Sequence, residues 1–389
     1  MDHIKESIAQ VFDEISQGLQ SGSFGKRARV GITLEGSEHG PGEMLRGATL
    51  AQAADPSIEV VVIGEQEFEA ETELTFIEAA DQKTAHELMD KMLLSGELDA
   101  AVTMHYNFPI GVATVGRVIT PGFGRKMFVG TTTGTSDTER TSAMLKNAIG
   151  SIAAAKACGI AAPTVGILNI EGARGLERAL IKLQESGYPI NFTQSARADG
   201  GVVMRGNDLL QGVPDIMVMD SLTGNVIMKA MSAFSTGGSY ESLGDGYGPG
   251  IGESYDRIIN IISRASGAPV VAGAITYAGA LARGQLLKKV ANEYAMAKKA
   301  GLGEILAGLQ KASEKTGGSA EEEVKAPPEK IVTEEIPGIE ILELEDAVRV
   351  LWKLGIFASS GMGCTGPIIL VAPEDKEAAD KAIKEAGYL

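Results

Sequence analysis

The stretch Val165-Gly166-Ile167-Leu168-Asn169-Ile170-Glu171-Gly172 decides the fold. Its apolar half has the composition of a buried β-strand, and the turn after it, residues 171–175, leads into a helical segment that extends to residue 185. The same order of strand, turn and helix occurs at residues 29–34 and 43–54. Alternation of strands and helices on this scale predicts a largely parallel sheet with helices on both faces, a three-layer α/β/α sandwich.

The rest of the chain extends this pattern and suggests its division into domains. Further strands are predicted at residues 58–64, 74–78, 100–104, 127–130, 190–193, 216–220 and 270–274. Further helices are predicted at residues 84–94, 138–157, 224–231 and 277–300, and residues 237–252 are glycine-rich and predict a mobile loop. We therefore expect an amphipathic N-terminal helix (1–26), an α/β/α domain (27–316), a charged, proline-containing linker (317–338) and a small C-terminal α/β module (339–389).

Composition excludes several classes of function. The formal net charge of −16 and the pI near 4.8 argue against binding to nucleic acid or to anionic lipid, both of which require a basic surface. The N-terminus lacks the pattern of a signal peptide, and we expect a cytoplasmic protein. Two cysteines, Cys158 and Cys364, are too few for a disulfide framework or a metal cluster, and Cys158 is expected to fill core space.

The second cysteine lies in a glycine-rich segment, Ser359-Ser360-Gly361-Met362-Gly363-Cys364-Thr365-Gly366-Pro367, between two short apolar strands. Backbone N–H groups of Gly363, Thr365 and Gly366 can hold a thiolate or an oxyanion in such a loop. A half-buried structural cysteine in a turn is the alternative interpretation. Because the glycines and hydroxyl residues have no evident packing role, we predict that Cys364 is a nucleophile.

Polar residues also follow several predicted strands, where a doubly wound sheet binds its ligands. The candidate phosphate contacts are Asn169, Arg174, Asn225, Lys229, Thr132 and Thr133. His39 and His105 are candidate acids or bases, although a histidine satisfied within a loop is the more common case. No metal-binding motif and no nicotinamide or flavin fingerprint is present, so we expect no cofactor, with inorganic phosphate as a substrate.

Two segments resemble the phosphate acyltransferases of bacterial phospholipid synthesis. They are Val165–Gly172 and Asp215-Ile216-Met217-Val218-Met219-Asp220-Ser221-Leu222-Thr223-Gly224-Asn225. Those enzymes exchange an acyl thioester for an acyl phosphate. The resemblance covers residues 27–300 and implies the fold shared by phosphate acetyltransferases and isocitrate dehydrogenases, with the site in a central cleft. The chain departs from the family pattern at Glu171 and Ser221.

With the Ser-Gly-Met-Gly-Cys-Thr-Gly-Pro segment added, nearly the whole chain resembles the α subunit of component C of the glycine/sarcosine/betaine reductase complex. This resemblance implies that Cys364 carries an acetyl thioester derived from the carboxymethyl-selenocysteine of protein A. Phosphate then releases the acetyl group as acetyl phosphate, in a reaction expected to take place after the linker brings Cys364 over the cleft of the main domain. The implied partners are the larger β subunit and selenoprotein A, in a hetero-oligomer.

Two other functions stay open at this point. One is a phosphate acyltransferase that uses acyl carrier protein thioesters, with Cys364 incidental. The other is a non-catalytic scaffold that stabilises a larger partner.

Overall fold

The computed structural model describes residues 12, 15–16, 27–197, 200–316, 324–340, 343–363 and 366–389, with residues 314–316, 362–363 and 366 described by their backbone alone. Most of the predicted N-terminal helix (1–26), the first part of the predicted linker (317–323), and both Cys364 and Thr365 therefore lie outside the described residues. Within the N-terminal segment, residues 12, 15 and 16 are helical and exposed.

A 12-stranded mixed sheet forms the centre of the described chain, in the order β3-β2-β1-β4-β12-β11-β5-β6-β10-β7-β8, with β9 also paired to β7. Its strands are β1 (Ala28–Thr33), β2 (Ile58–Gly64), β3 (Thr75–Glu78), β4 (Ala100–Thr103), β5 (Val112–Ile119), β6 (Lys126–Thr135), β7 (Thr164–Leu168), β8 (Asn191–Phe192), β9 (Val203–Met204), β10 (Ile216–Val218), β11 (Gly248–Ile251) and β12 (Ile259–Ile261).

The sheet contains two groups of parallel strands that run in opposite directions. Strands β1 to β4 and β12 are mutually parallel, and so are β6 to β10. Between the groups, β11 is antiparallel to both β12 and β5, and β5 is antiparallel to β6. The carboxyl ends of the two parallel groups therefore point to opposite edges of the sheet.

Helices cover both faces of this sheet. They are α1 (Pro41–Ala54), α2 (Gln82–Ser95), α3 (Arg140–Ala157), α4 (Ala173–Glu185), α5 (Gly206–Gln211), α6 (Ser221–Ala233), α7 (Ala268–Arg283), α8 (Leu286–Lys299) and α9 (Leu302–Thr316).

Alternate strand residues show which helices cover which face. Val60 and Val62 of β2 belong to one continuous core cluster that includes residues of α1, α3, α4, α7 and α8. Val61, on the other face, belongs to a cluster with α2, and Met217 of β10 belongs to a separate cluster with α6. Burial on both faces confirms the predicted α/β/α sandwich with a largely parallel sheet.

The predicted strand at residues 270–274 is wrong, because these residues lie inside helix α7 (Ala268–Arg283). A short apolar run can form a buried strand or part of a buried helix, and periodicity alone does not distinguish them. Pro269 occupies the first turn, where a proline starts a helix without losing a hydrogen bond. The predicted helix at 277–300 is likewise two segments, since α7 ends at Arg283 and α8 begins at Leu286.

The glycine-rich residues 237–252, predicted to be a mobile loop, contain the buried strand β11. Strands β5 and β12, also absent from the prediction, are its neighbours in the sheet. Gly248 shows why glycine occurs here, since a Cβ on it would lie 1.8 Å from the carbonyl oxygen of Val115. These glycines therefore allow close approach of strands and do not by themselves indicate a loop.

The C-terminal module has a second sheet, of three strands in the order β13-β15-β14. Its elements are β13 (Glu334–Pro337), α10 (Leu344–Lys353), β14 (Ala358–Gly363), β15 (Gly366–Val371) and α11 (Lys376–Glu385). A separate core cluster joins both helices to the sheet through residues such as Leu351, Ile369 and Ile383. Strand β13 corrects the expectation that residues 334–337 belong to a linker.

In the described part of the chain, no single helix has both the length and the apolar composition of a membrane span. Helices α7 and α8 meet both criteria only when taken together, and they are bent by 63° relative to each other.

Candidate functional site

A pocket of about 490 Å³ lies beside the strands where the direction of the sheet reverses. Residues from helix α6, from the segments that follow β4 and β12, and from the end of β6 form its walls. The lining residues are Glu38, Met104, His105, Tyr106, Asn107, Phe108, Thr133, Gly134, Asn225, Lys229, Tyr247, Ile261, Ile262, Ser263 and Arg264. Four of the predicted site residues, His105, Thr133, Asn225 and Lys229, therefore line one pocket.

Two cationic side chains line this pocket without an acidic partner. Within the described residues, neither Lys229 nor Arg264 makes an ion pair within 4 Å, and both residues are exposed. The Lys229 ammonium lies 5.7 Å from the ring centroid of Tyr247, within the range of a cation–π interaction. Glu38 is the one carboxylate among the lining residues. Two cations against one carboxylate, counted over the described lining residues, favour an anionic ligand.

Asn225 is held in a fixed orientation at the pocket wall. Its Nδ2 atom donates a hydrogen bond to the carbonyl oxygen of Thr132 at 3.1 Å. This bond uses one of the two amide hydrogens and leaves the second for a ligand. Helix α6 can approach β6 this closely because residue 224 is glycine, where a Cβ would lie 1.8 Å from the carbonyl oxygen of Thr131.

His105 follows strand β4 and reaches the pocket from the opposite side of the sheet reversal. A second histidine, His86 of α2, lies behind it and shares a hydrogen bond of 2.9 Å with the Thr103 hydroxyl. Burial lowers the pKa of His86, the Asp90 carboxylate opposes this shift, and His105 adds to it by repulsion. Burial therefore favours the neutral form of His86, and the exposed His105 is the histidine among the described lining residues of the pocket.

The other predicted phosphate contacts lie elsewhere. Asn169 and Arg174 follow β7, the parallel neighbour of β10, and do not line this pocket. The Thr132 hydroxyl is buried and donates to the carbonyl oxygen of Tyr247 at 2.8 Å, so it serves the fold. His39 packs edge-on against Tyr240 with ring centroids 5.9 Å apart and does not line the pocket. Asn169, Arg174, Thr132 and His39 are therefore not among the residues that line this pocket.

The start of α4, where Asn169 and Arg174 were expected to hold phosphate, is occupied by a carboxylate of the C-terminal module. Glu340 accepts hydrogen bonds from the backbone N–H groups of Gly172 (3.0 Å), Arg174 and Gly175 (3.3 Å). A carboxylate at a helix N-terminus is favourable because of the partial positive charge there. The Arg174 guanidinium pairs with Glu177 at 2.8 Å.

The pocket beside this helix start is larger, about 560 Å³, but its charge disfavours phosphate. Its bases are Arg140, Arg178 and Lys182, and its acids are Glu139, Glu171, Glu304, Glu340 and Glu343. Arg140 pairs with Glu171, and Arg178 pairs with Glu343. An anion there would face more carboxylates than cations, so the smaller pocket is the better candidate.

Cys364 and Thr365, the central predicted catalytic residues, lie outside the described residues. The backbone on either side is described: residues 359–363 and 366–367, expected in the loop between the strands, belong to β14 and β15. Gly363 and Gly366 are paired in the antiparallel ladder.

Sequence reasoning missed Arg264, Tyr247 and Glu241. Arg264 follows β12 in the segment Ser263-Arg264-Ala265-Ser266-Gly267, which leads into α7. The serines and the glycine of this segment are typical of a turn before a helix. The start of α7 was missed because residues 270–274 were wrongly predicted to form a strand. Tyr247 and Glu241 lay in the segment expected to be mobile.

Comparison with known proteins places this architecture in a family. The family described as "Fatty acid synthesis protein" matches residues 28–370. The glycine/sarcosine/betaine reductase complex component C subunit alpha of Peptoclostridium acidaminophilum is 54% identical over 389 residues, covering all of both chains. The phosphate acyltransferase of Geobacillus thermodenitrificans is 26% identical over 250 residues, covering 53% of this chain and 73% of the relative.

Among solved structures, the EutD phosphotransacetylase from Staphylococcus aureus matches with a TM-score of 0.44 and 14% identity, covering 66% of this chain and 94% of that one. The full-length identity to the reductase subunit and the family match over most of the chain agree with the resemblance found in the sequence. The chain belongs to the fatty acid synthesis protein family and, within it, to the component C alpha subunits of the glycine/sarcosine/betaine reductase complex.

Proposed function

We propose that this subunit transfers an acetyl group from a thioester on Cys364 to inorganic phosphate bound in the pocket at the sheet reversal. The observation that carries the proposal is a pair of cations, Lys229 and Arg264, that line this pocket together with His105 and Asn225 and make no ion pair with any described residue. Relatives named phosphate acyltransferases support transfer of an acyl group to phosphate. The partners on this proposal are the larger β subunit of component C and selenoprotein A.

The reaction needs groups that bind phosphate and a group that transfers its proton. Lys229 and Arg264 hold the phosphate dianion, and the second amide hydrogen of Asn225 donates to one of its oxygens. A phosphate oxygen attacks the thioester carbonyl, the C–O bond forms, the C–S bond breaks, and Cys364 leaves as a thiolate. The phosphate proton passes to His105 and then to the thiol. Acetyl phosphate and the free thiol are the products.

Isotope exchange tests this reaction on the full chain. A covalent acetyl carrier catalyses exchange of labelled inorganic phosphate into acetyl phosphate, because the acetyl group waits on the protein between the two phosphates. We expect exchange by the wild-type chain, none by Cys364→Ser, and an acetyl adduct mapped by mass spectrometry to Cys364. Exchange that survives Cys364→Ser would remove the thiol from the mechanism.

The phosphate site is tested separately by Lys229→Ala and Arg264→Ala. Loss of a charged hydrogen bond costs about 1.5–3 kcal/mol, so each change should raise the KM for phosphate by roughly 10- to 100-fold. Lys182→Ala is the matched control, because Lys182 is also an exposed lysine but lines the other pocket. An equal effect of Lys182→Ala would show that overall charge, and not this pocket, binds phosphate.

The same assays distinguish the alternatives. Exchange seen only when acyl carrier protein thioesters replace acetyl phosphate would favour a phosphate acyltransferase with Cys364 incidental. A Cys364 thiol that resists iodoacetamide, together with no phosphate binding by calorimetry, would indicate a scaffold.

A further inference from the structure

A buried carboxylate adjoins the phosphate pocket without lining it. Glu241 is 3% exposed, and its Oε1 and Oε2 atoms accept hydrogen bonds from the Tyr247 hydroxyl at 3.3 Å and the Ser266 hydroxyl at 3.2 Å. Its backbone is also fixed, because its N–H donates to the carbonyl oxygen of Ala265 and its carbonyl oxygen accepts from the N–H of Gly267, both at 2.9 Å. Glu241 is therefore rigidly attached to the turn that carries Arg264.

This carboxylate is coupled to Lys229 through Tyr247. Tyr247 presents its ring to the Lys229 ammonium and donates its hydroxyl hydrogen to Glu241. Burial raises the pKa of Glu241, whereas hydrogen bonds from Ser263, Ser266 and Tyr247 and the positive charge of Lys229 act in the opposite direction. Lys229 and Glu241 thus attract each other, although only Lys229 reaches the pocket.

A lysine side chain has four rotatable bonds and loses much conformational freedom when it is fixed. An exposed lysine with no ion pair would sample many positions around the pocket. The Tyr247 ring and the negative charge of the Glu241 carboxylate restrict the freedom of the Lys229 side chain before phosphate binds. Preorganisation of this kind increases affinity, since less entropy is lost on binding.

We propose that Glu241 is a positioning residue that holds Tyr247 in place and, through it, keeps the Lys229 ammonium at the phosphate pocket. The proposal rests on the phosphate-binding role given above to Lys229. Glu241 touches no substrate in this arrangement and acts on phosphate affinity alone.

Glu241→Gln tests the proposal, because it removes the charge and keeps the size of the side chain. In the isotope-exchange assay on the full chain, we expect the KM for phosphate to rise about tenfold, the size of one charged interaction, while kcat changes less than twofold. Tyr247→Phe keeps the ring for Lys229 and removes only the hydroxyl, so it should raise the same KM by a smaller factor.

Glu293→Gln is the matched control. Glu293 is also 3% exposed and also accepts a tyrosine hydroxyl, from Tyr188 at 2.7 Å, together with the Lys156 ammonium at 2.6 Å, but it lies outside the pocket. It should lower the unfolding temperature and leave the KM for phosphate unchanged. A merely structural role for Glu241 would give the same result as this control and would overturn the proposal.

A double variant separates this inference from the proposed function. If Glu241 acts through Lys229, then Glu241→Gln added to Lys229→Ala should raise the KM no further. Independent, multiplicative effects would overturn the positioning role. If Lys229→Ala itself leaves the KM unchanged, the phosphate-binding proposal fails. If Lys229→Ala raises the KM and Glu241→Gln does not, the positioning role alone fails.

Discussion

Replacing Gly224 by alanine should displace the helix that carries two of the proposed phosphate ligands. Gly224 lies in α6 against β6, where a Cβ would come within 1.8 Å of the carbonyl oxygen of Thr131 and 2.9 Å of its carbonyl carbon. Ordinary contacts begin at 3.4 Å. Both groups at the contact are backbone, so no side chain can move aside, and α6 must retreat by about 1.5 Å to relieve such overpacking.

Asn225 and Lys229 move with the helix. A retreat of that size would break the 3.1 Å hydrogen bond from Asn225 to the Thr132 carbonyl oxygen. Misplacement of a positioning group by about 1 Å can reduce a rate about 100-fold, and overpacking costs roughly 1–3 kcal/mol of stability. We therefore expect Gly224→Ala to lower isotope exchange about 100-fold when assayed well below its unfolding temperature, and to lower the free energy of unfolding in urea by roughly 1–3 kcal/mol.

Gly308→Ala is the matched control for this substitution. Gly308 is an exposed glycine in the middle of helix α9, and a Cβ there meets nothing within 4 Å. Alanine at such a position stabilises a helix by about 0.4–1 kcal/mol and should leave exchange unchanged. If Gly224→Ala unfolds and exchanges phosphate like Gly308→Ala, the close contact between α6 and β6 is wrong, and so is the position of the pocket wall.

Three other predictions follow from individual side chains. Burial raises the pKa of Cys158 to about 11. At about pH 8 only about 0.1% of this thiol is therefore ionised, compared with roughly a quarter of a thiol with the usual cysteine pKa. Iodoacetamide should consequently label Cys364 before Cys158, as measured by peptide mapping. Burial raises the pKa of Glu241 in the folded protein above its ordinary value of 4.5. The protonated carboxyl therefore stabilises the fold fully below pH 4.5, and this contribution to the free energy of unfolding is lost as pH rises through the pKa of Glu241 in the folded protein. The unfolding temperature of Glu241→Gln should therefore vary less between pH 4.5 and 8 than that of the wild type. Glu340→Ala removes the acceptor at the start of α4, so hydrogen exchange of residues 172–175 should accelerate about tenfold or more.

The parts of the fold that the sequence predicted well are those where a local pattern determines the structure. The strand predicted at residues 58–64 has the same bounds as β2, because five of its seven residues are valine or isoleucine, which favour a strand. The unit formed by β7 and α4 was predicted within two residues at each end. In this unit the glycine-containing turn marks the boundary between the strand and the helix, which apolar periodicity alone does not determine.

The reversal of the sheet could not be predicted in the same way. It depends on β12 pairing with β4 and β11 pairing with β5, which join residues more than 100 positions apart in the chain. Local periodicity contains no information on such pairs, so the reversal and the pocket beside it could not be predicted from the sequence. The pocket brings Asn225 and Lys229, from the helix after β10, together with His105, which follows β4, whereas Asn169 and Arg174 do not line it.

The proposed reaction requires the C-terminal module and the main domain to act together, because the thiol belongs to one and the two cations to the other. The described contacts between them are polar: the Glu340 carboxylate on the amides of α4, and Arg178 bonded to Glu343 and to the carbonyl oxygen of Tyr388, both at 3.0 Å. Partly exposed ion pairs contribute only about 0–1 kcal/mol each, so Glu340 supplies the strongest of these contacts. None of these residues lines the proposed phosphate pocket. A change at Glu340 should therefore alter the rate at which the thiol delivers its acetyl group and leave the KM for phosphate as it is, whereas a change at Lys229 should do the reverse.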